Sequence, residues 1–163
     1  AGIITVVTTA QLVLLRLLEG GVSGREYVWK PGLQMAADFG VFGSGLGTFQ
    51  LAFPAYYSGP TQTWWHAHMD YLELFIELGV PGFILFAAVI LSALIILIRS
   101  YMKRKNVFVM GILFGVLLGT TSILLHEISD YHFYIPANAA YFFSLLAIGI
   151  VTASTPSQSR GRL

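Results

Sequence analysis

The chain has 163 residues, of which 56% are hydrophobic and 10% charged, with mean hydropathy +0.73 and formal net charge +1. A soluble domain carries about a quarter charged residues, so this is the composition of an integral membrane protein, and no basic run marks a nucleic-acid binder. The absence of cysteine excludes disulfides and thiolate metal sites.

The chain opens at Ala1 in an apolar run to Leu18, without a basic n-region or a cleavage site, and Arg16 is close enough to its end to snorkel outward. It therefore reads as the C-terminal part of a longer protein, one membrane domain over residues 1–163, cut inside a helix bundle. The connection from Glu19 to Val80 is too rich in aromatics, glycine and proline to be a linker, and a loop of such length is usually functional. Within it, Ser23-Gly24-Arg25-Glu26 fits a capping box opening a helix through Tyr27 and Trp29. Pro31 predicts a kink or a later start. Phe42 to Gly47 is a turn-rich strip; its three alternating glycines lack the strand, helix and lysine of a phosphate loop and read as a tight turn. Pro54 to Thr63 reads as irregular.

From Trp65 to Leu78 the spacing predicts a helix carrying His66, Asp70, Glu73 and Glu77 along one stripe. For Glu73 and Glu77 the simplest expectation is an interfacial helix with its acids in water. The helix should break near Gly79-Val80-Pro81-Gly82, where Pro81 can begin a span. Further apolar segments run over 81–98, 107–125 and 137–153, each about the 20 residues that cross a bilayer as a helix. Their continuity favours helices over barrel strands, so the expected fold is an all-α polytopic bundle with a long outer loop. Gly111, Gly115 and Gly119 predict a close packing seam in the third span.

Sidedness follows from charge. The linker Arg99–Asn106 holds four basic residues and no acid, and Arg160 and Arg162 lie in the tail. All eight acids and all four histidines lie on the opposite side. The positive-inside rule then puts the basic end in the cytoplasm.

Ionisable groups beside a span are a functional-site expectation. Arg25 and Lys30 are the cations inside the long connection, and a guanidinium forks onto two phosphate oxygens; the plainer alternative for Arg25 is a surface ion pair with Glu19 or Glu26. His126 and Asp130 lie in the last outer loop, where they can orient partners in a site or merely accompany an interfacial aromatic belt. His66, His68, Asp70, Glu73, His126 and His132 offer nitrogen and oxygen donors. However, His-x-His is not a helical ligand pair and no His-Glu-x-x-His occurs, so no metal is expected.

Arg25 with Trp29, the strip Gly43–Phe49, Ala67-His68-Met69-Asp70-Tyr71-Leu72-Glu73, and Glu77-Leu78-Gly79-Val80-Pro81-Gly82 occur in that order. With His126–Asp130 and Ile135–Ala139, they are similar to the C-terminal half of the O-antigen ligase and polymerase superfamily, which includes bacterial protein oligosaccharyltransferases. The resemblance covers Arg25 to about Gly149 and implies a GT-C-like glycosyltransferase of the bacterial inner membrane. It would move an undecaprenyl-diphosphate-linked glycan to lipid A-core, another glycan or a protein, on the periplasmic side and without cofactor or required metal. By the same resemblance Arg25 would hold the donor diphosphate, and His68 would deprotonate or position the acceptor hydroxyl. Lys30, Asp70, His126 and Asp130 are the expected substrate contacts. Asp70 departs from the family pattern, which commonly has Asn directly after the histidine, and further arginines that the family places upstream are missing. The isolated chain is therefore expected to be inactive. Two other classes compete: a non-catalytic transporter with an acid-lined cation route, and a haem-handling protein suggested by Trp64-Trp65 with outer histidines. The first needs charges within the spans, which are clean. The second needs paired histidines flanking that loop.

Overall fold

The computed structural model describes residues 26–59 and 64–155, so Arg25, Arg16 and the expected span 1–18 lie outside the described residues. Among the described residues five α-helices follow in chain order: α1 Glu26–Phe39, α2 Phe49–Ala52, α3 Asp70–Lys103, α4 Val107–His126 and α5 Pro136–Ser154. Short 3₁₀ turns occupy Phe53–Ala55 and His132–Tyr134, and no strand occurs among the described residues. The fold is all-helical, as expected.

Among the described residues three helices, α3, α4 and α5, are long and apolar enough to cross a membrane. At about 1.5 Å per residue the 34-residue α3 extends roughly 51 Å, well beyond a ~30 Å hydrocarbon layer. About half of the excess is its first two turns, which carry the acids and precede a kink. Apolar side chains such as Ile84, Leu85, Val89 and Leu91 face outward, as a lipid-facing surface requires. Asn106 caps α4, its side chain accepting the N–H groups of Phe108 (3.0 Å) and Val109 (3.3 Å). Pro136 opens α5, where its missing N–H removes no helical bond.

The three spans close around Ile90, Leu97, Leu113, Val116, Phe142 and Leu146. They approach closely at Gly149, where an added Cβ would lie 2.7 Å from Leu97 Cδ2 and 2.8 Å from Val116 Cγ1. The expected glycine seam is not a seam between the described helices. A Cβ on Gly111 or Gly115 would meet nothing within 4 Å, and one on Gly119 meets only Leu145. Spacing shows that small residues share a face but not which face has a neighbour.

A second core joins α1 to the start of α3 through Val28, Met35, Ala36, Phe49, Phe53, Ala67, Leu72 and Ile76. Pro31 does not delay α1, which is helical from Glu26 onward. α3 begins at Asp70 rather than near Trp65. His68 has φ 52° and Met69 is extended, and the Glu73 carboxylate takes the Ala67 N–H (2.7 Å), drawing 66–69 off the helical path.

The kink has a definite cause and a definite brace. Pro81 offers no N–H to the Glu77 carbonyl, and the Val80 N–H turns away to the Gly40 carbonyl (2.7 Å). The freed carbonyls of Ile76 and Glu77 accept instead from Ser44 (2.9 Å) and Gly45 (3.0 Å). The glycine strip is thus more than a tight turn: it supplies the donors that a broken helix at a membrane boundary lacks. Gly79 (φ 65°) and Gly43 (φ 79°) abut backbone to backbone, and a Cβ on Gly79 would lie 2.5 Å from Gly43 N.

α3 runs away from the acidic end, α4 returns, and α5 leaves again. The basic linker and the end of α5 therefore share one end, where Arg104 Nη2 donates to the carbonyls of Ala153 and Thr155. The acids of α3, the histidines and the last loop gather at the other.

Candidate functional site at the acidic end of the bundle

The carboxylates of α3 are not in water. Asp70, Glu73 and Glu77 are 0%, 1% and 2% exposed, which overturns the expectation of a solvated stripe for Glu73 and Glu77. Each takes a backbone N–H from a different loop, a charge-assisted bond stronger than a neutral one. Asp70 Oδ2 accepts from Phe133 (2.7 Å), Glu73 Oε2 from Ala67 (2.7 Å), and Glu77 Oε1 from Phe49 (2.9 Å). Glu127, also fully buried, takes the His132 N–H on Oε2 (3.1 Å). The stripe is a set of anchors tying three loops to one helix.

The Asp70 carboxyl lies beside that of Glu127. Asp70 Oδ1 and Glu127 Oε1 have no N–H or O–H donor among the described residues. Two buried carboxyl groups this close disfavour a double negative charge. Asp70 therefore faces the last loop. Its backbone N–H reaches the carbonyls of Glu127 (3.2 Å) and Asp130 (3.1 Å), fixing that loop against the start of α3.

Trp29, Glu73 and Tyr131 hold the histidine segment. The Trp29 indole donates to the Ala67 carbonyl (3.0 Å), joining α1 to residues 66–68. His66 Nδ1 bonds Glu73 Oε1 at 2.9 Å, while its ring stacks on Tyr131 (centroids 4.7 Å, planes 14° apart). His68 meets the same Tyr131 edge-on at 4.8 Å and Trp64 edge-on at 5.8 Å. Two imidazoles thus flank one phenol. The left-handed backbone at His68 is uncommon for a residue with a Cβ and costs of order 1 kcal/mol; it turns the ring back toward Tyr131.

Beside this group lies a cavity of about 150 Å³ lined by Trp65, His66, Glu73, Glu77, Tyr134 and the Gly47–Gln50 turn. The Tyr134 hydroxyl donates to Glu77 Oε2 (2.7 Å); burial, then this bond, pushes its pKa above the ordinary phenol value. A carboxylate-bound imidazole facing a cavity is an arrangement that can accept or relay a proton.

Of the expected site residues, the structure brings His68 and Asp70 to one end of α3 and sets Asp130 against the Asp70 N–H. Lys30 is exposed on α1. His126 is exposed at the end of α4 and packs against His132 (5.1 Å). Arg25 lies outside the described residues. Sequence reasoning missed Tyr131, Tyr134 and the His66–Glu73 pair as parts of one site. The seven-residue separation of that pair was visible, but only a non-helical entry to α3 lets the ring fold back onto the carboxylate.

No curated protein and no solved structure matches the chain. The model of the O-antigen ligase family matches residues 2–87, a little over half of the 163 residues and the stretch that carries α1, the glycine strip and the histidine segment. That family comprises membrane glycosyltransferases of the ligase and polymerase type, and the chain belongs to it.

Proposed function

We propose that the chain catalyses glycosyl transfer from an undecaprenyl-diphosphate-linked glycan to an acceptor hydroxyl, at the non-cytoplasmic face of a bacterial inner membrane. The reaction needs a base near the acceptor oxygen and cations on the departing diphosphate. The observation that carries the reading is the assembly of His66, His68 and Tyr131 against the buried Glu73, beside a cavity at the end of the bundle away from the basic loop.

His68 takes or positions the acceptor proton as the hydroxyl oxygen forms its bond to the anomeric carbon and the diphosphate leaves. Arg25 holds the diphosphate. Its support is Trp29, four residues on, whose indole ties the beginning of α1 to the histidine segment. Lys30, exposed on the same helix, adds a second cation. Asp70 and Asp130 hold the last loop so that Tyr131 stays between the imidazoles, and His126 borders that loop. The acidic end is periplasmic by the positive-inside rule. Acceptors of the lipid A-core, glycan and protein classes all present the nucleophile this chemistry needs.

Complementation with the full-length gene tests the assignment. His68→Ala and Arg25→Ala are each expected to abolish surface glycan while inserting as wild type. If both restore it, the assigned roles are wrong. His66→Ala belongs in the same series because the Glu73 bond favours His66 as an alternative proton acceptor: loss with His66→Ala and retention with His68→Ala would move the base to position 66.

A further inference from the structure

We propose that His126, Asp130 and His132 bind a divalent transition-metal ion, zinc by donor set, which clamps the outer end of α4 to the turn before α5. One ligand atom from each residue lies within 4.8 Å of the others. Local structure brings them together: His126 ends α4, its carbonyl accepts the Ser129 N–H (3.0 Å), and the reversed chain carries Asp130 and His132 back past it. Asp130 Oδ1 accepts its neighbour Tyr131's N–H (3.0 Å), which sets the carboxylate's direction. The His126 and His132 rings stand edge to face, 5.1 Å apart.

Two imidazoles and a carboxylate are a donor set that suits zinc and leaves a fourth position open to water. Bonds of about 2.0–2.1 Å to a tetrahedral ion hold the donors roughly 3.4 Å apart, so closure needs side-chain rotations that the exposed His126 is free to make.

A second observation points the same way. Behind His132, the fully buried Glu127 sets Oε1 3.5 Å from His132 Nδ1, and neither atom finishes a hydrogen bond with the other. Metal-bound histidines usually give their other ring N–H to a carboxylate, which fixes the tautomer and strengthens the ligand. An ion on the far nitrogen of His132 would complete that bond. Glu127 in turn meets Asp70 at the start of α3, two residues from His68, so a metal here would stiffen the loop that presents Tyr131. His126 and Asp130 then act on this loop through the ion and not on substrate. The site stands independently of the glycosyl-transfer reading.

The test uses the full-length protein, purified with a histidine-free tag, placed in lipid nanodiscs and stripped of metal. Zn²⁺ is titrated against a chromophoric chelator, and Co²⁺ is followed by visible absorption. We expect one ion per chain, a Co²⁺ spectrum of four- or five-coordinate nitrogen and oxygen ligation, and at least tenfold weaker binding with His126→Ala or Asp130→Asn. Glu127→Gln, which removes no ligand, should weaken binding about 10–100-fold. Wild-type protein that takes up no ion, or shows only the spectrum of hydrated Co²⁺, overturns the proposal. So does uptake unchanged by His126→Ala and Asp130→Asn. If Glu127→Gln does not fold, the exposed His126 variant and the wild-type Co²⁺ spectrum still decide.

Discussion

Replacing Gly79 with alanine strikes the contact on which the acidic end is built. Gly79 has φ 65° and ψ −178°, a region essentially reserved for glycine, and an alanine there is strained by about 1–3 kcal/mol. Its Cβ would also lie 2.5 Å from Gly43 N, 2.6 Å from Phe42 C and 2.8 Å from Val41 O. These are backbone atoms of the docked strip, so the strip must lift. Lifting removes the bonds from Ser44 to Ile76, Gly45 to Glu77 and Val80 to Gly40. At about 0.5–1.5 kcal/mol each, the total with strain is about 2.5–7.5 kcal/mol. The spans stay inserted, so the effect is local opening and not global unfolding. Hydrogen exchange in nanodiscs should show the amides of Ser44, Gly45, Phe49 and Val80 exchanging roughly fifty-fold faster or more, taking 1.4 kcal/mol per tenfold. Gly47→Ala is the control: its φ is 72° but its Cβ would meet nothing within 4 Å, so only the strain remains. Protection in Gly79→Ala within threefold of wild type, or equal loss in the control, would refute the bracing role.

Tyr134→Phe leaves Glu77 Oε2 without its buried donor and should lower stability by about 1–3 kcal/mol, read as a fall in the thermal midpoint in detergent. Because the Tyr134 pKa is raised in the fold, its contribution is complete below the unfolded phenol value near pH 10 and is lost as pH rises beyond it. Absorbance titration should accordingly show this phenol ionising only after the exposed tyrosines, and ionisation together with them would contradict its burial. Asp70→Ala strips the Phe133 N–H of its acceptor and should raise exchange across 127–134 while leaving the far end of α3 unchanged. Gly149→Val should destabilise by about 1–3 kcal/mol through overpacking against Leu97 and Val116. Gly111→Ala, with open space at its Cβ, should stay within about 1 kcal/mol of wild type.

The three described spans and the break at Gly79–Pro81 were legible because both rest on local signals: continuous apolar runs, and a glycine two residues before one with no N–H. The two ends of the bundle were legible from the basic linker. The fate of the acids was not. Periodicity put Asp70, Glu73 and Glu77 on one face correctly, but it cannot tell whether water or three loops cover that face. The loops that cover it (Gly43–Phe49, Trp64–His68 and Ile128–Tyr134) have no periodic pattern of their own. Their positions come from long-range bonds to carboxylates 6 to 63 residues away in sequence. The glycine repeat in α4 failed for the same reason, since its face was plain and its partner was not.

Using buried acids as anchors has an electrostatic consequence for the proposed reaction. Asp70, Glu73, Glu77 and Glu127 crowd one end of the bundle. Such a field repels a diphosphate. A donor of that charge must therefore approach from the side of the site that carries cations, and in the long connection those are Arg25 and Lys30, just before and on α1. The Trp29 bond to Ala67 brings that helix, with the exposed Lys30, against the histidine segment. On this argument, reversing charge at Lys30 should raise the KM for lipid-linked donor more than it lowers kcat. An equal fall in kcat with no change in KM would mean that the acids do not set the side from which the donor enters.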